Sequence, residues 1–122
     1  MADARITVPQ AADSGAVRGI LAALRGRYGF LDALPVGRSA VGRELMGLVL
    51  GNGRDPVLMA AAFHGQEWLT ALVLLRLCED LCRGIAQDAC LDGWELRRAL
   101  AGRCLVLVPM VNPDGVDIAL HG

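Results

Sequence analysis

The chain has 122 residues with a formal net charge of −1 and a mean hydropathy of +0.43, which suits one modest domain. The small charge and the 4% aromatic content argue against nucleic acid as the main partner. No stretch reaches the roughly 18 uncharged apolar residues of a membrane span. Residues Met1 to Arg5 lack the basic and apolar regions of a signal peptide, so we predict a cytoplasmic location.

The first half of the chain predicts a helix, a hairpin and a buried strand. Apolar residues at helical spacing predict a helix over Ser14–Arg27, with Asp13 or Ser14 as the capping residue. Two short strands around a glycine-containing turn then indicate a hairpin. The stretch Val57–Phe63 is continuously apolar, which is typical of a strand buried on both faces of a sheet.

The second half predicts two helices and another buried strand. Glu67–Arg83 is apolar around most of its circumference, so we expect a largely buried helix that ends at Gly84. Leu91–Leu100 has the pattern of a second helix, and Cys104–Val111 that of a buried strand. Strands that alternate with helices indicate α/β layering, a mixed sheet flanked by helices. A right-handed crossover would join the two apolar strands.

Four cysteines permit a metal-site or a disulfide interpretation, but their spacing favours neither. A structural four-cysteine zinc site usually has closely paired cysteines, and free cysteine behaves as a small buried hydrophobe. In a chain without a secretion signal the thiols are expected to stay reduced. We therefore predict core or semi-buried thiols at all four positions, which are Cys78, Cys82, Cys90 and Cys104.

Polar motifs follow both apolar strands: His64–Glu67 after the first and Asn112–Gly115 after the second. Sites in open α/β sheets form outside the carboxyl ends of strands. Zinc accepts His nitrogen and carboxylate oxygen, so His64 and Glu67 are candidate ligands. Each also has an ordinary interpretation, as a polar strand-end residue and as a first-turn carboxylate. The second motif has the composition of a turn.

Three motifs in series resemble those of the zinc carboxypeptidases, the M14 peptidase family. They are Gly37-Arg38-Ser39 with Gly42-Arg43, His64-Gly65-Gln66-Glu67-Trp68, and Val111-Asn112-Pro113-Asp114-Gly115. The second and third look most like the bacterial γ-D-glutamyl-diamino-acid peptidases, which act on cell-wall peptides. The resemblance implies that residues 1–122 form the amino-terminal portion of a single zinc carboxypeptidase-like domain, with the carboxy-terminal part of the fold missing.

The resemblance also implies roles for individual residues. His64 and Glu67 would be the first two Zn²⁺ ligands, Gln66 would lie near the substrate, and Asn112 and Asp114 would shape the pocket floor. In the family, the third ligand and the catalytic glutamate lie further along, so no catalytic residue is expected in this chain. The whole protein would be a metallopeptidase acting on peptide substrates, including peptidoglycan-derived ones, and this stretch would be inactive alone.

His121 is a histidine that could be proposed as the third ligand, but it lies beside the last residue, Gly122. It does not match the third-ligand position of the family, and we expect an exposed or loop residue.

Two alternative functions stay open at this point. A related amidase or deacylase branch removes small N-acyl groups with a similar zinc pair, although the Asn112–Gly115 motif favours the peptidase branch. The other alternative is a non-catalytic α/β module that binds no zinc. It would self-associate through an exposed sheet edge, because an uncovered apolar edge favours pairing.

Overall fold

The computed structural model describes residues 4–91 and 93–122. The elements in chain order are α1 (Ser14–Arg27), β1 (Leu31–Arg38), β2 (Glu44–Gly51), β3 (Pro56–Ala60), α2 (Trp68–Ala86), β4 (Cys90–Leu91), β5 (Trp94–Glu95), α3 (Leu96–Ala99), β6 (Cys104–Val108) and α4 (Pro113–His121). The main sheet has the order β1-β2-β6-β3. Only its β3–β6 pair is parallel among the described strands. The predicted hairpin, mixed sheet and crossover connection through α2 are therefore confirmed.

The helix α1 begins where its capping signal indicates. The Oδ1 atom of Asp13 accepts a hydrogen bond from the N–H of Ala16 at 2.8 Å, which is the usual role of an N-cap aspartate. The apolar face of the helix is buried and consists of Val17, Ile20, Leu21 and Leu24. The predicted bounds of this helix are confirmed.

The core lies between the helices and one face of the sheet. Alternate strand residues point to opposite faces, and one face presents Leu48 and Leu50 beside Leu107 and Leu105. These four leucines belong to the same buried cluster as apolar residues of α1, α2, α3 and α4. Burying one leucine contributes about 1.5–3 kcal/mol, so this face holds the helices on the sheet.

The strand β3 lies at an exposed edge, so the predicted burial of Val57–Phe63 is wrong for most of that stretch, in which Ala61 and Ala62 are the buried residues. In the described part of the chain it pairs with β6 alone. Leu58 is 66% exposed, and its register partner Val106 places it on the sheet face opposite the core. An apolar run predicts a strand, but burial also needs a neighbour on each side.

The helix α2 continues past the expected stop at Gly84 and ends at Ala86. Gly84 is buried inside the helix, and a Cβ atom there would overlap the side chain of Leu96 in α3. The glycine therefore allows two helices to pack closely and does not terminate the first one.

The helix predicted over Leu91–Leu100 is wrong for most of its length. The chain forms the small β4–β5 ribbon and then the short helix α3. Gly93 has a φ of 82°, a left-handed conformation that glycine adopts readily and that interrupts a helix. Residue 92, which completes this connection, lies outside the described residues.

The helix α4 occupies a segment in which a turn was expected. Asn112 is its N-cap and Pro113 stands in its first turn. Proline is tolerated there because an N–H at that position would have no acceptor within the helix. The sequence Asn-Pro therefore starts a helix here, and the predicted turn is wrong.

The cysteines are free thiols, with Cys78, Cys82 and Cys104 buried as predicted. Cys90 is exposed because it lies in the surface ribbon, so the prediction is wrong there. In residues 4–91 and 93–122, no helix has the length and apolar content that crossing a membrane requires.

Candidate metal centre

His64 and Glu67 meet at the turn that joins β3 to α2. The Nδ1 atom of His64 lies 3.0 Å from the Oε2 atom of Glu67. The turn is closed by the N–H of Glu67, which donates to the carbonyl of His64 at 3.0 Å. The two side chains are 75% and 49% exposed, so the pair is open to an ion or ligand arriving from solvent.

The donor pair has the chemistry and the spacing of a zinc site. Imidazole nitrogen and carboxylate oxygen both bind zinc at about 2.0–2.2 Å, so two such donors on one tetrahedral ion are about 3.3–3.6 Å apart. His64 and Glu67 are in hydrogen-bond contact at 3.0 Å, so a small separation of the two side chains would admit an ion. The residues present therefore fit two positions of a zinc coordination sphere.

The chain enters this turn through a strained residue, Ala62. Its φ is 55°, in the left-handed region that residues other than glycine rarely adopt. Its N–H donates to Thr70 Oγ1 at 2.8 Å, and its carbonyl accepts from the N–H of Asn112 at 3.0 Å. Strained backbone persists where its surroundings hold it, so Thr70 and Asn112 both stabilise the entry to residues 64–67, the ligand turn.

Thr70 is a site-shaping residue that the sequence interpretation missed. Its hydroxyl also donates to the carbonyl of Glu67 at 2.7 Å. The Thr70 side chain thus connects Ala62, which has the left-handed backbone conformation, with Glu67, which carries the carboxylate. The available signal was a threonine in the first turn of α2, from which a hydroxyl readily reaches nearby backbone.

The two polar motifs are in direct contact, because each follows one strand of the parallel β3–β6 pair. The Nδ2 atom of Asn112 donates to the carbonyl of Phe63 at 3.1 Å, and its Oδ1 atom accepts from the N–H of Gly115 at 2.9 Å. A Cβ atom on Gly65 would overlap the carbonyl of Gly115. The backbone of the ligand turn therefore packs directly against the first turn of α4.

Asp114 faces the β1–β2 hairpin. Its carboxylate accepts hydrogen bonds from Ser39 Oγ at 2.8 Å, from the N–H of Val41 at 3.3 Å and from Arg43 Nη1 at 2.8 Å. Desolvation alone would raise the pKa of Asp114, but the bonds from Arg43, Ser39 and Val41 hold that pKa below its ordinary value. The carboxylate therefore stays charged, and its hydrogen bonds hold α4 against the hairpin.

Gln66 and His121 are two further polar residues that the sequence singled out. Gln66 is exposed in the ligand turn. The Nε2 atom of His121 lies 2.9 Å from Asp13 Oδ2, which joins α4 to the N-cap of α1. Within the described ranges, no group of three or more His, Cys, Asp or Glu residues is arranged to hold a metal ion. His64 and Glu67 thus form a pair of candidate zinc donors in the described chain.

Sequence comparison relates the chain to known proteins. The zinc carboxypeptidase family, peptidase family M14, matches residues 18–121. The chain is 30% identical over 99 residues to γ-D-glutamyl-L-diamino acid endopeptidase 1 of Lysinibacillus sphaericus, covering 81% of the chain and 25% of that protein. It is 35% identical over 97 residues to the uncharacterized protein YqgT of Bacillus subtilis, covering 78% of the chain and 26% of that protein. The chain therefore spans about a quarter of these relatives.

Solved structures share the fold. Bovine thrombin-activatable fibrinolysis inhibitor, in complex with tick carboxypeptidase inhibitor, matches with a TM-score of 0.75 and 16% identity over 92% of this chain and 34% of its own. Carboxypeptidase A of Helicoverpa armigera matches with a TM-score of 0.72 and 18% identity over 99% of this chain and 30% of its own. Sequence and fold agree, and the chain belongs to the zinc carboxypeptidase family.

Proposed function

We propose that His64 and Glu67 are two zinc ligands of a metallopeptidase that hydrolyses peptide bonds. The observation that carries this proposal is the 3.0 Å approach of the two donors in a solvent-open turn. Membership of the zinc carboxypeptidase family supports the choice of metal and reaction. When bound, zinc supplies Lewis-acid chemistry that polarises a carbonyl and makes water a better nucleophile.

The chain's own residues bind and orient the metal in this proposal. His64 supplies a neutral nitrogen donor and Glu67 a carboxylate. Thr70 holds the backbone on both sides of the ligand pair through its bonds to Ala62 and Glu67. Gln66 lies between the ligands in sequence and is exposed, which would place it beside an incoming substrate. Asn112 and Asp114 shape the adjoining floor.

Zinc retention is the first test of this proposal. After dialysis against buffer without metal, the wild-type chain is expected to retain more zinc than His64→Ala, measured by atomic absorption. His121→Ala is the matched control, because it removes an exposed histidine that pairs with Asp13, and its zinc content should equal that of the wild type. Equal zinc in wild type and His64→Ala would contradict the proposal.

That negative result would favour the non-catalytic alternative, which the exposed edge strand β3 supports. Leu58 and Val57 are 66% and 45% exposed there, and an apolar edge of this kind favours pairing between chains. Self-association would then appear as a concentration-dependent mass in analytical ultracentrifugation, and it should be removed by Leu58→Lys.

Peptidase activity is expected to require residues outside this chain. Catalytic zinc usually has three protein ligands and a base within reach of the water, whereas residues 4–91 and 93–122 contain no group of three or more His, Cys, Asp or Glu residues that could hold a metal ion. We expect no hydrolysis by the purified 122-residue chain and cleavage of a γ-glutamyl-diaminopimelate peptide by a protein that also contains the remaining groups. That substrate class follows the similarity to the Lysinibacillus endopeptidase.

Preferential cleavage of an N-acyl amino acid would favour the amidase alternative. Peptidase activity of the verified short monomer would contradict the requirement for residues outside this chain.

A further inference from the structure

Asn112 bonds to the backbone on the approach to the ligand turn. Its amide group donates to Phe63 and accepts from Gly115. We propose that Asn112 is a positioning residue that sets the approach of His64 to Glu67, and that Arg43 holds Asn112 in place through α4. This inference rests on the proposed function, because it assigns a role in metal affinity to residues outside the ligand pair.

The first step is the double attachment of Asn112 to the chain before His64. Its backbone N–H bonds to the carbonyl of Ala62 at 3.0 Å, and its side chain bonds to the carbonyl of Phe63 at 3.1 Å. Two consecutive peptide groups are thereby held immediately before the first ligand. Without the side-chain bond, the peptide that joins Phe63 to His64 can rotate, and the imidazole rotates with it.

The second step is close packing between the two turns. The Asn112 side chain fills the space beside the Cα atom of Gly115, and the carbonyl of Gly115 fills the space beside Gly65. Neither glycine can accept a Cβ atom without movement of its neighbour. The positions of Asn112 and of the ligand turn are therefore mechanically coupled.

The third step is the attachment of α4 to the hairpin. The Nη1 atom of Arg43 bonds to Asp114 Oδ1 at 2.8 Å, and its Nε atom lies 3.1 Å from Asp117 Oδ2. Asp117 also accepts from the N–H and the hydroxyl of Ser14, at 2.7 and 2.6 Å. One guanidinium thus holds two carboxylates in successive turns of α4, which keeps its N-cap, Asn112, facing the ligand turn.

Asn112→Ser separates the two roles of this side chain. Serine is a good N-cap, so the bond to Gly115 can be replaced, but its hydroxyl is too short to replace the bond to Phe63. We expect zinc affinity to fall about tenfold, the lower end of the loss seen when groups supporting metal ligands are removed. Asp13→Ser is the matched control, since it makes a similar N-cap exchange on α1 and should leave the zinc affinity unchanged.

Chemical shifts of residues 62–67 are recorded first in metal-free buffer. Zinc is then titrated into the 122-residue chain, and binding is monitored through the NMR signals of the His64 ring. Asn112→Ser should shift those metal-free signals and weaken zinc binding, and Asp13→Ser should do neither. Arg43→Ala should also weaken zinc binding. The double variant that combines Arg43→Ala with Asn112→Ser should show a smaller fold-loss of zinc affinity than the product of the two single-variant losses.

Each outcome decides the proposal. Wild-type zinc affinity in Asn112→Ser would overturn the positioning role and leave the proposed function standing. An equal loss of affinity in Asp13→Ser would also overturn it, because the effect would then report general destabilisation. Failure of the wild type to bind zinc more tightly than His64→Ala would contradict the proposed function, and the inference with it.

Discussion

Gly65→Ala is expected to destabilise the chain by about 1–3 kcal/mol, the cost of forcing an extra methyl group into a packed contact, and to weaken zinc binding sharply. The new Cβ atom would overlap the backbone carbonyl of Gly115. A backbone group on a helix cannot rotate away as a side chain can, so the ligand turn must move. His64 and Glu67 flank Gly65 and would lose their 3.0 Å approach.

The matched control for this substitution is Gly19→Ala on the exposed side of α1. A Cβ atom at Gly19 meets nothing within 4 Å, and alanine in a helix interior is more stable than glycine by about 0.5–1 kcal/mol. The two Gly-to-Ala changes should therefore shift the free energy of unfolding in opposite directions, as measured by urea denaturation. Wild-type stability and zinc affinity in Gly65→Ala would show that the two turns do not pack as described.

Glu79→Ala is expected to lower the free energy of unfolding by about 2–4 kcal/mol, because two backbone N–H groups lose their acceptor and an unsatisfied buried donor costs about 1–3 kcal/mol. Glu79 is fully buried in α2. Its carboxylate accepts from the N–H of Ile6 at 2.8 Å and from that of Thr7 at 2.7 Å. It thereby ties the segment before α1 to the core.

The same carboxylate should make stability depend on acid pH. Desolvation would raise the pKa of Glu79, but the bonds from Ile6 and Thr7 and the charge of Arg5 hold that pKa below its ordinary value of 4.5. A carboxyl pKa that is lower in the folded state stabilises the fold fully above the unfolded value. The contribution is lost as the pH falls through the folded-state pKa. Glu79→Ala should therefore flatten the decline in stability below about pH 4.5.

Asp80→Asn is the control for this prediction, because it removes the same charge from the neighbouring residue. Asp80 pairs with Arg5 and Arg76 at the surface, and exposed ion pairs contribute about 0–1 kcal/mol. Equal losses in Glu79→Ala and Asp80→Asn, measured by urea denaturation at pH 7, would contradict the anchoring role of Glu79.

The elements that were predicted correctly depend on contacts between residues close in sequence. The bounds of α1 follow from the Asp13 cap and four apolar residues at helical spacing. The approach of His64 and Glu67 follows from a short turn that leaves little freedom in their separation. Local geometry of this kind is present in the amino-acid order, so the candidate ligand pair was identifiable before the fold was known.

The predictions that were wrong depend on what a segment packs against. The apolar run at β3 is exposed, since a strand at a sheet edge has one neighbour and Leu58 lies on the uncovered face. Gly84 lies inside a helix that runs to Ala86, and its missing side chain leaves room for Leu96 of α3. The sequence pattern alone does not distinguish a glycine that ends a helix from a glycine inside a helix against which another side chain packs.

The sequence by itself determined the helix and strand types over most of the chain, the candidate donor pair and the family to which the motifs belong. Only the tertiary structure decided that Asp114 clasps Ser39 and Arg43, that Asn112 supports Phe63, and that Glu79 is an internal anchor. The physical reason is that a polar side chain has many potential partners in sequence. Packing of the apolar core brings one set of them within hydrogen-bond distance.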